Sequence, residues 1–291
     1  MSLHADDLFA YAIPVTHARV TTRDALLYAL STGYATRPLD PQQLRYSYGP
    51  DPIAALTLAN VVAHPGPWMR DAGVNWSGVV HAEQRLIIHR EMPLDQDLVC
   101  TSRMVSVVDK GAEKGMFASY QRTLTTADAG VVIATIIQTD ACRFDGGCGS
   151  QGTPPPALLR VPEREADKVV DIVIPPDAAL LYRLNGDFNP LHADPAFARS
   201  AGFERPILHG LCTLGHAGRV VADWVAQNDG RTLQAIDARF TAVVFPGDRL
   251  TVEQWIENAQ VRFRVRAPER NSTVIDCGTA LLPSAARSGD H

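Results

Sequence analysis

The chain is short of several things, and each shortage removes a class of function. It lacks a long apolar run: the longest, residues 130–137, is far below the ~20 residues a membrane-spanning helix needs. It lacks a surplus of positive charge, since 27 Lys and Arg stand against 32 Asp and Glu with no basic block to meet a phosphate backbone. Nucleic acid and membrane insertion are therefore not expected partners. Cysteine is sparse: Cys100, Cys142, Cys148, Cys212 and Cys277 are scattered without a Cys-x-x-Cys pair, which suits a reducing compartment better than a disulfide framework. Near the N-terminus Asp6 and Asp7 occupy positions where a signal peptide carries positive charge, and the last residues are not the Ser-Lys-Leu peroxisomal address. The expectation is a cytoplasmic protein.

What is present is enough apolar residue, 46% of 291, to build one large core or two of about half that length. Between Arg143 and Val161 the composition shifts. Gly146, Gly147, Gly149 and Gly152 are followed by Pro154-Pro155-Pro156, which disfavours both helix and central strand and reads as a linker. The expected organisation is an N-terminal repeat over residues 1–145, a linker over 146–162 and a C-terminal repeat over 163–291. The halves echo each other: Leu26-Leu27-Tyr28 aligns with Leu180-Leu181-Tyr182, and the same offset sets Asp40-Pro41 on Asp194-Pro195. Each half offers a helical segment and then alternating strands, as at 98–108, 116–124 and 131–142, separated by turn signals such as Asp109-Lys110-Gly111. The fold class is α+β with antiparallel hairpins. In the second half, residues 209–227 carry an apolar stripe of Leu211, Leu214, Val221 and Val225, with Gly210, Gly215 and Gly218 allowing a sheet to approach closely.

The segment 182–215 carries the chemistry. Asn185-Gly186 stops a helix, Pro190 turns Asn189 away from helical geometry, and Asp194-Pro195 starts a new helix that Gly202 ends. The loop between is short, pinned at both ends, and displays Asp187 and His192. A carboxylate and an imidazole held over one water suit acid/base work. A bland alternative has Asp187 satisfying loop amides and His192 bonded in the core. A metal site from Asp187, His192 and Asp194 is a further alternative, disfavoured because Asp194 is already explained as a helix cap. Cys212 does not fit a nucleophile elbow, since the glycine after it comes one residue late. His216 reads as packed on its own helix, and His209 as a residue that shapes a turn.

The run Tyr182-Arg183-Leu184-Asn185-Gly186-Asp187-Phe188-Asn189-Pro190-Leu191-His192, followed by Pro206-Ile207-Leu208-His209-Gly210, resembles the signature of (R)-specific enoyl-CoA hydratases, the MaoC-like or hydratase 2 family. Residues 24–33, His81-Ala82-Glu83-Gln84 and Asp109-Lys110-Gly111 resemble the N-terminal half of its two-repeat members. The resemblance implies a double hotdog fold, each half wrapping an antiparallel sheet around a central helix. It implies catalysis by the second repeat alone, because the offset puts Gly33 on Asp187 and Pro38 on His192, and an acyl-binding role for the first. Its counterpart of the central helix, around residues 54–62, is short and ends in His64-Pro65-Gly66-Pro67. By position, Asp187 and His192 would activate water, Asn189 would order the loop, the Gly210 amide would bind the thioester oxygen, and His81, Ala82, Lys110 and Phe240 would line the acyl-CoA site. The resemblance implies an acyl-CoA substrate, no metal or redox cofactor, and a homodimer. The rivals are an acyl-CoA thioesterase and a non-catalytic lipid-binding module. Ala82 replaces a usual Gly and Asn185 a usual Ser or Thr, which bears on substrate shape.

Overall fold

The computed structural model describes residues 3–49, 52–229, 233–258 and 260–282. Among these residues eleven strands form one antiparallel sheet: β1 (Thr16–Arg19), β2 (Val79–Ile88), β3 (Asp97–Asp109), β4 (Met116–Thr126), β5 (Val132–Cys142), β6 (Gln151–Gly152), β7 (Lys168–Val173), β8 (Ala235–Phe240), β9 (Arg249–Glu257), β10 (Gln260–Ala267) and β11 (Ser272–Leu281). Their order is β1-β3-β4-β5-β2-β8-β11-β10-β9-β7, with β6 extending the edge beside β3. Reading outward from the β2/β8 seam, each half repeats the same succession, as a duplicated unit must.

The seam reveals the symmetry. Gln84 pairs with Ala238, which is the residue the repeat offset assigns to it, so a pseudo-twofold axis passes there. On the helical side, Tyr28 lies against its repeat mate Tyr182 with ring centroids 5.9 Å apart. The Asn185 side-chain amide donates to Ser31 Oγ, its own mate, at 3.0 Å and to the Tyr182 carbonyl at 2.8 Å. A Ser or Thr could not donate twice, so the asparagine closes the contact between halves. One apolar cluster runs through both halves, from Tyr28, Leu86 and Ile136 to Leu214, Val221 and Phe263.

Two features go beyond the sequence expectation. Each half has a short edge strand, β1 or β7, directly ahead of its repeated helical segment, and in the first half the helix Ala5–Ala10 comes before β1. The central helix of the second half is Gly210–Asp229, packed on β8, β9 and β10. The short counterpart expected around residues 54–62 is a single 3-10 turn, Leu56–Asn60. The second feature is that the linker of residues 146–162 is held along its length. The Asp109 carboxylate accepts from the Gly147 and Gly149 amides, Gln151 and Gly152 pair with β3, and Arg85 and Arg262 donate to the carbonyls of Pro156 and of Leu159 and Arg160. The segment is a strap fastened to both halves.

The helix glycines serve close approach, partly to unexpected neighbours. A side chain at Gly218 would meet Ile236 of β8, but one at Gly215 would lie 2.4 Å from Thr32, at the end of the first-half helix Thr22–Ser31. His216 likewise reaches across to Gly33 instead of packing locally. Among the described residues, no helix is long and apolar enough to cross a membrane.

Candidate active site

The pinned loop forms as its sequence dictates. Gly186 closes the preceding helical turn in a left-handed conformation (φ 114°), and Asn189 caps the 3-10 turn Pro190–His192 by accepting from the Leu191 amide at 3.0 Å. Asp194 accepts from the Ala196 and Phe197 amides and starts the helix Pro195–Ser200. The Asp187 carboxylate is held by the Asn189 amide at 3.1 Å and keeps half its surface, 50%, open to solvent.

His192 is buried, and its Nδ1 lies 2.9 Å from the Ile207 carbonyl. A carbonyl only accepts, so Nδ1 carries the proton and Nε2 is left with its lone pair. Burial lowers the His192 pKa, against the opposing pull of the Ile207 carbonyl and the Asp187 charge, so the ring is neutral at neutral pH.

The residue that sequence reasoning undervalued is His209. It is 2% exposed, its ring stacks on His192 with centroids 3.7 Å apart, and its Nε2 donates to the Asp187 carbonyl at 3.3 Å while lying 4.0 Å from the carboxylate. Burial, reinforced by His192, takes its pKa to about 2, so it is a neutral spacer that fixes loop to helix. The signal available in sequence was its place beside Gly210. Asp187, His192 and His209 offer donor atoms within 4.8 Å of one another, the composition of a metal site. The third member is thus His209, while Asp194 is spent as a cap.

Gly210 is the first residue of the long helix, and its amide has no helical partner, since the first intrahelical bonds come from Cys212 and Thr213. The Phe240 ring lies where a side chain on Gly210 would be, 3.3 Å from an added Cβ. Phe240 in turn meets His81 edge to face at 4.8 Å, so Gly210, Phe240 and His81 form one wall. His81 is neutral, its pKa taken to about 4 chiefly by burial and partly restored by the Glu83 carbonyl. Ala82 is the extra residue of a bulge between His81 and Glu83, a position that suits Gly but accepts Ala. Lys110 stands in the β3–β4 turn with its ammonium 6.0 Å from the Phe117 ring; it makes no hydrogen bond, ion pair or ring contact with the Asp187 loop.

The chain is similar to known proteins along nearly its whole length. Residues 158–276 match the model of the MaoC-like domain and residues 19–139 that of the multifunctional enzyme 2 hydratase N-terminal domain. An enoyl-CoA hydratase of Mycobacterium tuberculosis is 34% identical over 98% of this chain and 100% of its own. The peroxisomal enoyl-CoA hydratase 2 of Arabidopsis thaliana is 32% identical over 94% of this chain and 93% of its own. A crystal structure of a MaoC-like dehydratase from Phytophthora capsici superposes with a TM-score of 0.84 at 27% identity, covering 97% of this chain and 99% of that one. With two half-sheets joined along β2 and β8 and the Asp187–His192 loop in the second of them, this chain is a double hotdog protein and belongs to the MaoC-like, hydratase 2 family.

Proposed function

We propose that the protein reversibly hydrates trans-2-enoyl-CoA to (3R)-3-hydroxyacyl-CoA, with Asp187 and His192 as its acid/base pair. The observation that carries this is the presence, on one loop and the helix start beside it, of three elements: a half-exposed carboxylate, a neutral imidazole whose Nδ1 carries the proton, and a helix N-terminal amide at Gly210 that has no intrahelical partner. A water between Asp187 and His192 gives up a proton as its oxygen bonds to C3. The electron pair moves through C2 to the thioester oxygen, which the Gly210 amide and the helix N-terminus stabilise. The enolate then takes a proton at C2 from the same pair, so water has been added and no redox partner is consumed. Asn189 orders the loop, and His81, Ala82, Lys110 and Phe240 flank the acyl-CoA. The stereochemical outcome follows the family. The same reading makes the protein a cytoplasmic homodimer, for which size-exclusion chromatography with light scattering is the check.

The test is loss of enone absorbance with crotonyl-CoA beside a free-thiol assay. Absorbance loss without thiol release is expected; thiol release would replace the reading with thioester hydrolysis. Turnover is also expected to survive exhaustive chelation, because the reaction needs no metal. Loss that Zn²⁺ restores would turn the Asp187, His192 and His209 trio into a metal centre.

Gly210→Val should lower kcat by at least about 10-fold, since the added methyls collide with Phe240 and displace the amide from the thioester oxygen. Gly210→Ala, whose Cβ needs only a few tenths of an ångström, should lose less. Equal and full activity in both would remove that amide from the mechanism.

A further inference from the structure

The missing central helix of the first half leaves backbone carbonyls that buried side chains must satisfy, Arg122 foremost. After the 3-10 turn Leu56–Asn60 the chain leaves helical geometry, with Ala63 at φ 48°, and the carbonyls that a continuing helix would satisfy face the sheet. Arg122 of β4, fully buried, donates to the carbonyl of Asn60 at 2.5 Å and of Val62 at 3.4 Å. Thr16 donates to the Ala63 carbonyl, and Gln84 to the Asn60 side chain at 2.8 Å. Among the described residues no carboxylate forms an ion pair with Arg122, so a cation is held in the interior chiefly by two carbonyl dipoles, with the Cys100 thiol beside it, an arrangement that costs stability.

What the guanidinium holds is a wall. A cleft of about 260 Å³ is lined by Leu58, Val61, Val62 and Ala63 together with Arg19, Asp24 and Leu27 of the first half, and by Leu184, Asn185 and Gly186 of the second. Gly186 directly precedes Asp187, so the cleft borders the start of the catalytic loop. Resting on the hydratase reading for its occupant, we propose that Arg122 is a positioning residue for substrate specificity: by anchoring residues 60–62 it sets the wall against which the acyl chain lies, and so the chain lengths the enzyme takes.

The experiment measures kcat/KM for crotonyl-CoA, trans-2-decenoyl-CoA and trans-2-hexadecenoyl-CoA in wild type, Arg122→Met, Arg122→Lys and Thr16→Val. Arg122→Met is expected to change the long-to-short selectivity ratio by at least about 10-fold while crotonyl-CoA turnover stays within about 2-fold, because crotonyl-CoA does not reach the wall. Arg122→Lys, which keeps the charge but loses the planar fork that spans the two carbonyls, should fall between. Thr16→Val removes a partly buried bond from the same segment and should shift the ratio in the same direction even if the buried substitutions fail to fold. A uniform fall across all chain lengths, or an unchanged ratio in folded variants, overturns the proposal. Calorimetric binding of butyryl-, decanoyl- and palmitoyl-CoA gives the same ratio without turnover. If wild type binds these but hydrates nothing, the hydratase reading fails and the wall is still tested; binding that is blind to chain length in every variant overturns the wall itself.

Discussion

Asp187→Asn and His192→Ala are each expected to lower kcat by at least about 10²-fold, the scale on which a positioned acid or base contributes. The asparagine variant is the cleaner of the two. Asp187 is half exposed and accepts one loop amide, from Asn189, which an asparagine oxygen accepts equally well. The fold is therefore retained and only the charge is removed. His192→Ala does more: it leaves the Ile207 carbonyl without its donor and empties the space against His209, at a cost of about 1–3 kcal/mol for the unpaired group alone. Its assay must run well below its melting temperature, and circular dichroism should show native secondary structure there. With crotonyl-CoA the loss should appear in kcat, since neither group anchors the CoA moiety. Near-normal turnover in either folded variant would withdraw that residue from the chemistry.

The loop was readable from sequence because its signals are local. Asn185-Gly186, Pro190 and Asp194-Pro195 each act within one turn, and the structure uses Gly186 to stop, Asn189 to cap and Asp194 to restart. The repeat was readable because duplication leaves aligned identities, and Gln84 opposite Ala238 shows how closely the offset is kept. What stayed hidden was polar and long-range. His209 looked like a turn residue because its importance lies in a ring stacked on His192, 17 positions earlier in the chain. Arg122 sits among alternating strand residues, where an arginine is ordinarily solvated; only the absence of a helix above it gives it carbonyls to hold. The Gly- and Pro-rich strap has linker composition, yet composition reports what cannot be regular structure and says nothing of arginines reaching up to its carbonyls.

Acidification should destabilise the fold between about pH 6 and 4, by roughly 1.4 kcal/mol per pH unit from the buried groups whose shifts are large. Burial takes His216 to about 3, His81 to about 4 and His209 to about 2, all well below the value near 6.5 they regain on unfolding. Below pH 6.5 the unfolded chain binds three protons that the native state refuses, so native stability is full above that pH and falls as pH drops. Two carboxylates oppose this. Burial raises Asp140 to about 7 and Asp237 to about 6, so the native state is the one that binds protons there, and acid favours it until the unfolded carboxyls protonate near 3.8. Three against two leaves the unfolded state about one proton richer, which sets the sign and the slope. The urea midpoint should fall across this window and flatten above pH 7; a midpoint that is level or rises on acidification would contradict the neutral, buried histidines. His216→Gln gives the sharper check, because His216 lies outside the Asp187 loop, packed on Gly33 with its Nε2 unpartnered among the described residues. Removing it takes one proton from the difference, so the slope should drop by about 1.4 kcal/mol per pH unit. Turnover at neutral pH should survive, since the ring it loses faces the first half and not the reacting water.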